Sequence, residues 1–353
     1  MNRINLSLLI PVILLILISL STFYSIDLLI FKQQLFFVIF SFFLYILFLF
    51  IDYKIIIFYS QKLYYIMVAL LLILFFIGIE ARGAVRWIDV FGARIQFSEI
   101  FKPFIIIFFA QYILRDQSKS LVKFVKTILL MLPIFFLTLK QPDLGNATIY
   151  ILTLLFMLFM YGFPIKYFLS LFLMILLPFP FLFQFLHDYQ KSRIISFFNF
   201  SYDPLGSSYN AIQSVIAVGS GGIFGKGLGQ ATQSILKFLP ERHTDFIFAS
   251  IAESLGLVGA IFLLILYAFL LYKIIRIASA TQDEFSKLAL NGFFFLFLTH
   301  IFFNIGMNIG IFPVVGITLP FVSYGGSSLL SNFIMLGLIS SIGFESKSNV
   351  FWK

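Results

Sequence analysis

The stretch FLPERHTDFIFASIAESLG, residues 238–256, gathers Glu241, Arg242, His243 and Asp245 directly before a long apolar run. An acid in that place has two uses. Standing at the start of a helix, Asp245 can cap free backbone N–H groups. At a partly desolvated mouth flanked by Arg242 and His243, it can instead take a proton from a hydroxyl as a general base. Glu253 falls about two turns deeper on a similar helical face.

A second constellation lies in RIQFSEIFK, residues 94–102. Glu99 and Lys102 are three apart, share one face of a helix and can pair where an apolar run begins. Charges at membrane depth are expensive, so they face a cavity or a partner. A plain ion pair is the simpler reading. With Arg94 just before them, two cations around one carboxylate also suit a phosphate or pyrophosphate clamp. Asp143, in QPDLG, reads as a turn or helix cap.

The glycine-rich GSGGIFGKGLG, residues 219–229, fails both nucleotide fingerprints. Ser220 stands where a Walker A loop needs its first Gly, Gly227 follows the Lys, and Phe224 replaces the last Gly of a dinucleotide loop. It is either a flexible turn between interfacial helices or a backbone that brings Lys226 close to a phosphate. His187, His243 and His300 are scattered and there is no Cys, which excludes thiolate zinc sites and disulfides. No resident metal site is assigned. A hard divalent cation, Mg2+ or Mn2+, held between carboxylates and a pyrophosphate stays as an alternative.

The elements that must position these groups are membrane helices. Hydrophobic residues make up 61% of the 353, and Phe alone occurs 51 times. That much apolar surface asks for a bilayer as its solvent. Runs at 6–25, 33–50, 64–79, 100–114, 124–138, 147–161, 165–186, 246–272, 288–312 and 323–343 predict about ten spans in an all-α polytopic protein. The fourth to sixth are short for spans. The first run lacks a small-residue cleavage pattern and reads as a retained span.

Lys54, Lys62, Arg115, Lys119, Lys123, Lys126, Lys273, Arg276 and Lys287 fall in alternate loops or beside them, which puts both termini in the cytoplasm. The segments 80–102 and 187–245 then face outward, the latter as one large extracytoplasmic loop between the seventh and eighth spans. Both carry basic residues against the inside bias, which an anionic ligand would explain. Residues 207–219 predict a short interfacial helix with Tyr209, Ile212, Val215 and Ile216 on its apolar side. Pro320, Gly325 and Gly326 break the pattern near the outer surface and suggest a cavity wall. The net charge of +9 fits anionic lipid heads, and no basic soluble domain is present to carry nucleic acid.

RWIDVFGARIQFSEIFK, QPDLG, GSGGIFGKGLG, TQSILKFLPERHTDFIF and LPFVSYGGSS, in this order, resemble the signature segments of the SEDS family (shape, elongation, division and sporulation). The likeness runs from the third span to the end, treats 1–353 as a single transmembrane domain, and through TQS before FLPERHTDFIF is similar to the rod-shape members. It implies a multi-pass cytoplasmic-membrane glycosyltransferase that polymerises lipid II on the outer face. It also implies a class B penicillin-binding protein, a transpeptidase, as partner within the elongation machinery.

By the same resemblance Asp245 is the catalytic base, and Arg94, Lys102 and Glu99 belong to the substrate-binding segment. Arg242 and Lys226 are added as further cations for the leaving pyrophosphate. Three positions depart from the family pattern: Phe97 for a Pro, Asn146 for a Thr and Ser254 for a Glu. A lipid II flippase and a non-enzymatic scaffold for the transpeptidase are the competing readings. A transporter would want charges along a path through the membrane, and a scaffold would tolerate loss of Asp245.

Overall fold

The computed structural model describes residues 4–81, 84–90, 93–178 and 208–351, with isolated positions between 181 and 206. His187 and the first part of the long loop lie outside the described residues, as does the end of the seventh predicted span.

The elements in chain order are α1 (Leu6–Ile26), α2 (Leu28–Phe50), α3 (Tyr53–Ile77), β1 (Ile79–Ala81), β2 (Ala84–Val90), β3 (Ala93–Ile95), α4 (Phe97–Ile100) and α5 (Lys102–Leu114). They continue as α6 (Leu121–Lys140), α7 (Leu144–Tyr161), α8 (Ile165–Leu176), α9 (Tyr209–Ser220), α10 (Thr232–Ile235), α11 (Ile247–Ala280), α12 (Glu284–Asn308) and α13 (Gly326–Phe351). Among the described residues eight helices are long and apolar enough to cross a membrane, and α5 and α8 are shorter apolar helices. The protein is a multi-pass membrane protein.

Burial sorts the helices by composition. In α13, 94% of the spanning window is buried, against 22% in α2. The reason is side-chain size: GSSLLSNFIMLGLISSIG offers Gly and Ser at close range, which lets backbones approach where no hydrophobic force separates helix from lipid. A Cβ at Gly337 would lie 2.8 Å from the Tyr45 carbonyl oxygen of α2. The Phe-rich face of α2, with Phe36, Phe40 and Phe43, is left exposed for lipid.

One sequence expectation changes. The all-α description gains a three-stranded antiparallel sheet in the order β1-β2-β3, whose register sets Arg94 opposite Asp89. Arg94 is therefore a strand residue with a cross-strand acid. The expected short helix at 207–219 appears as α9, which buries Ala211, Ser214 and Ala217 against the protein and leaves the apolar Val215 and Ile216 exposed, as an interfacial helix would. Small residues win that face because α9 packs tightly on α11; at its end a Cβ on Gly221 would stand 2.0 Å from the Ala252 carbonyl oxygen.

The glycine-rich segment is neither a loose turn nor a phosphate cradle. Gly256 breaks α11 with φ 68° and ψ −166°. The backbone groups on both sides of the break bond to residues 222–227: Leu257 N to Gly222 O at 2.9 Å, Val258 N to Ile223 O at 3.1 Å, Lys226 N to Glu253 O at 3.0 Å and Gly227 N to Ser254 O at 3.0 Å. An interrupted helix at membrane depth needs this kind of repair, since no water is there to satisfy it.

Candidate active site

Asp245 does not cap α11. The N-cap is Phe246, which makes no side-chain cap bond, and Asp245 lies in the turn before it. Three successive carbonyls of this turn are held by other elements. His243 O accepts from Tyr324 N at 2.8 Å, and Thr244 O accepts from Ser323 Oγ at 2.8 Å. Asp245 O accepts from Asn304 Nδ2 at 2.9 Å and from Asn308 Nδ2 at 3.0 Å. Both amides come from the last turns of α12, and Asn308 Oδ1 also accepts from Ala249 N at 3.0 Å, tying the start of α11 to the same anchor. Gly316, at φ 69°, lets the chain pass close by: a Cβ there would meet Asp245 Oδ2 at 3.5 Å.

The facing wall is a buried polar network. Asp143 caps α7 through Asn146 N, as the sequence suggests, and its Oδ2 also accepts from Gln96 Nε2 at 2.7 Å, Ser98 Oγ at 3.1 Å and Asn146 Nδ2 at 2.8 Å. The same Asn146 amide donates to Glu99 Oε1 at 2.8 Å. Lys102 Nζ donates to Glu99 Oε2 at 2.6 Å and stands 3.1 Å from His300 Nε2. His300 Nδ1 lies 3.0 Å from Thr318 O. Since a carbonyl only accepts, Nδ1 carries the proton and Nε2 accepts from Lys102, which makes this histidine neutral.

The two walls enclose a cavity of about 840 Å3 whose lining includes Asp245, Arg94, Glu99, Asp143, Asn146, Arg86, Lys32 and Tyr324. The expected site residues are thus divided. Asp245, Arg94 and Glu99 meet at one cavity, and Lys102 stands behind Glu99 without lining it. Arg242 is 8% exposed, does not line the cavity, and its Nε has no hydrogen-bond partner; burial pushes its guanidinium down from the ordinary value, with Asp27 and Glu241 opposing.

Lys226 is elsewhere, paired with Glu253 Oε1 at 3.0 Å. Glu253, expected on the face of Asp245, is instead fully buried and accepts from Lys226, Thr232, Gln233 N and Ser234, stapling α10 and the glycine segment to α11. A carboxylate that has five donors at hand needs no second role to explain its burial.

Two cavity-wall residues, Arg86 and Tyr324, were not singled out from sequence; Asn146 was noted only as a departure from the family pattern, and His300, which stands behind the wall against Lys102, only among scattered histidines. Arg86 reaches 4.0 Å from Asp143 Oδ1 from strand β2. Asn146 sits one helical turn past Asp143, bridging two acids. His300, an ionisable residue within an apolar span, carried the clearest signal. Tyr324 donates to Gln33 Oε1 at 2.6 Å; burial raises its hydroxyl pKa and the nearby Arg94 charge works against that. Among the described residues no group of three or more His, Cys, Asp or Glu gathers to hold a metal.

Comparison with known proteins agrees with this architecture. The family model of the FtsW, RodA and SpoVE cell cycle proteins matches residues 2–348. The peptidoglycan glycosyltransferase MrdB of Escherichia coli K12 is 41% identical over 291 residues, 82% of this chain and 78% of that one. A solved chain from a peptidoglycan synthase complex superposes with a TM-score of 0.85 at 27% identity, over 97% of this chain and 98% of that one. The rod shape determining protein RodA of Thermus thermophilus gives a TM-score of 0.73 at 26% identity, over 97% of each chain. Matched by the family model over nearly its whole length and 41% identical to one of its curated relatives, this chain belongs to the FtsW/RodA/SpoVE family of cell cycle proteins.

Proposed function

We propose that the protein is a peptidoglycan glycosyltransferase, polymerising lipid II into β-1,4-linked glycan strands with release of undecaprenyl pyrophosphate. The observation that carries this reading is the meeting of Asp245 with Arg94 and Arg86 at one 840 Å3 cavity, in a chain 41% identical to a peptidoglycan glycosyltransferase. The acceptor sugar hydroxyl gives its proton to the Asp245 carboxylate as its oxygen attacks the anomeric carbon of the donor. The bond from that carbon to the pyrophosphate breaks and the electron pair leaves with the phosphate. One displacement inverts an α-linked donor to a β-linked product, so one base suffices.

The leaving group needs cations and not a proton donor. Arg94 and Arg86 supply them at the wall, while Lys102 acts through Glu99 as a positioning residue. The distribution of basic residues supports an extracytoplasmic position for the cavity. The match to a chain of a synthase complex supports a penicillin-binding transpeptidase as partner. A transport path is disfavoured because α12 carries no ionisable side chain from Leu288 to Thr299, so the chain of polar groups ends at His300.

The test is glycan synthesis from purified protein and lipid II, with products separated by length. Wild type should yield a ladder, and Asp245→Asn none, with unfolding behaviour unchanged. A ladder from Asp245→Asn would remove the base; none from wild type with its transpeptidase present would return the scaffold reading.

A further inference from the structure

A second cavity of about 760 Å3 opens at the other end of the helix bundle, between α3, α5, α6, α12 and α13. Its rim holds Asp283 and Phe285 at the start of α12, whereas Asp245 is held at the end of that helix. Twenty-five residues of α-helix separate the two, about 37 Å. The cavity therefore has no part in the chemistry around Asp245. By the distribution of Lys and Arg it lies at the cytoplasmic leaflet.

Its charges are not all available. The Asp283 carboxylate caps α12, accepting from Ser286 N at 2.9 Å and from Ser286 Oγ at 2.6 Å. Glu345 is engaged by Lys54 at 3.0 Å. Arg115, exposed at the end of α5, pairs with no carboxylate among the described residues. Ser60 Oγ donates to Gln111 Oε1, so the amide end left for a ligand is the donor Nε2. What the cavity offers is an unpaired guanidinium and an amide donor, with its acids already occupied. That inventory reads an anion.

The rest of the wall is apolar and prebuilt. Tyr64 stacks on Phe108 with centroids 4.3 Å apart and donates to Leu130 O at 2.7 Å, and Ile57 and Leu114 complete the surface. Tyr59 and Tyr65, both exposed, with Lys62 over the Tyr59 ring at 5.4 Å, mark this level as the headgroup belt. A soluble phosphate would leave that aromatic surface uncovered, whereas a phospholipid covers both parts. Basic pockets between spans on the cytoplasmic side commonly take such headgroups.

We propose that this cavity is a binding site for an anionic phospholipid of the cytoplasmic leaflet, its phosphate held by Arg115 and Gln111 and an acyl chain lying along Ile57, Phe108 and Leu130.

The experiment uses full-length protein, delipidated in neutral detergent, and follows thermal unfolding while lipid is added. Phosphatidylglycerol should raise the unfolding temperature well beyond phosphatidylcholine of the same chains or glycerol phosphate. Arg115→Gln should weaken the apparent phosphatidylglycerol affinity about tenfold, as loss of one charge-assisted hydrogen bond predicts, and Arg115→Lys should keep most of it. Lys126→Gln, which removes an exposed cation of α6 outside the cavity, should leave the affinity within about twofold. Equal stabilisation by the two lipids, wild-type affinity in Arg115→Gln, or an equal shift with glycerol phosphate would overturn the proposal. The last would mean a site for free phosphate. Unliganded Arg115→Gln should unfold at the wild-type temperature, which separates lost binding from lost folding.

Discussion

The Glu99–Lys102 pair offers a test with a sign that plain surface electrostatics would not produce. Lys102 and Glu99 side chains are 1% and 8% exposed. Lys102→Met removes the donor at 2.6 Å from Glu99 and the donor at 3.1 Å from His300 together. Breaking one partner of a buried ion pair costs about 3–5 kcal/mol, because an uncompensated charge is left behind. The His300 acceptor that loses its donor adds about 1 kcal/mol. The single variant should therefore be about 4–6 kcal/mol less stable. Adding Glu99→Gln takes the stranded charge away while keeping an oxygen for Asn146 Nδ2. The double variant should then recover about 2–3 kcal/mol relative to Lys102→Met alone. Equilibrium unfolding in mixed detergent micelles, run as a full double-variant cycle, measures both numbers. A single variant less than about 1 kcal/mol from wild type, or a double variant no more stable than the single, would refute the argument that burial governs this pair.

Other perturbations probe the remaining parts. Gly256→Ala puts a Cβ 2.2 Å from Gly225 N at a positive φ, so the glycine segment must leave α11; the protein should lose about 2–5 kcal/mol and become susceptible to proteolysis within residues 219–229. Asn308→Leu strips donors from the Asp245 and Asn304 carbonyls and should cost about 1–3 kcal/mol, with a larger fall in kcat than in substrate binding because the base loses its fixed backbone. Unchanged kcat at reduced stability would mean that the amide is structural alone. Arg94→Gln alters an exposed strand residue and should leave stability within about 0.5 kcal/mol while reducing lipid II polymerisation at least about tenfold; wild-type turnover would remove Arg94 from the site.

Much was legible before any coordinates. Hydropathy is a property of each segment by itself, so the spans, their order and the bilayer as solvent follow from the apolar runs, and a short fourth span was already visible at 100–114. The i, i+3 spacing foretold the Glu99–Lys102 contact, and the charged cluster before α11 pointed to Asp245. Helix boundaries drifted because polar residues do not stop a helix whose cap lies further out: Asp52 starts α3 at Tyr53, well before the apolar stretch.

What remained hidden depends on which distant residues meet. Local pattern could not show how the turn at Asp245 is held; Asn304, Asn308, Ser323 and Tyr324, all far along the chain, bind its carbonyls. Lys226 looked like a phosphate ligand until the tertiary structure gave it Glu253. Glu253 seemed a companion of Asp245 until its five donors appeared around it. Sequence settles which side chains are too costly to leave unpartnered in a membrane, because desolvation is paid residue by residue. Only the tertiary structure decides who the partners are, because pairing is a relation between segments that the bilayer packs together without regard to their distance in sequence.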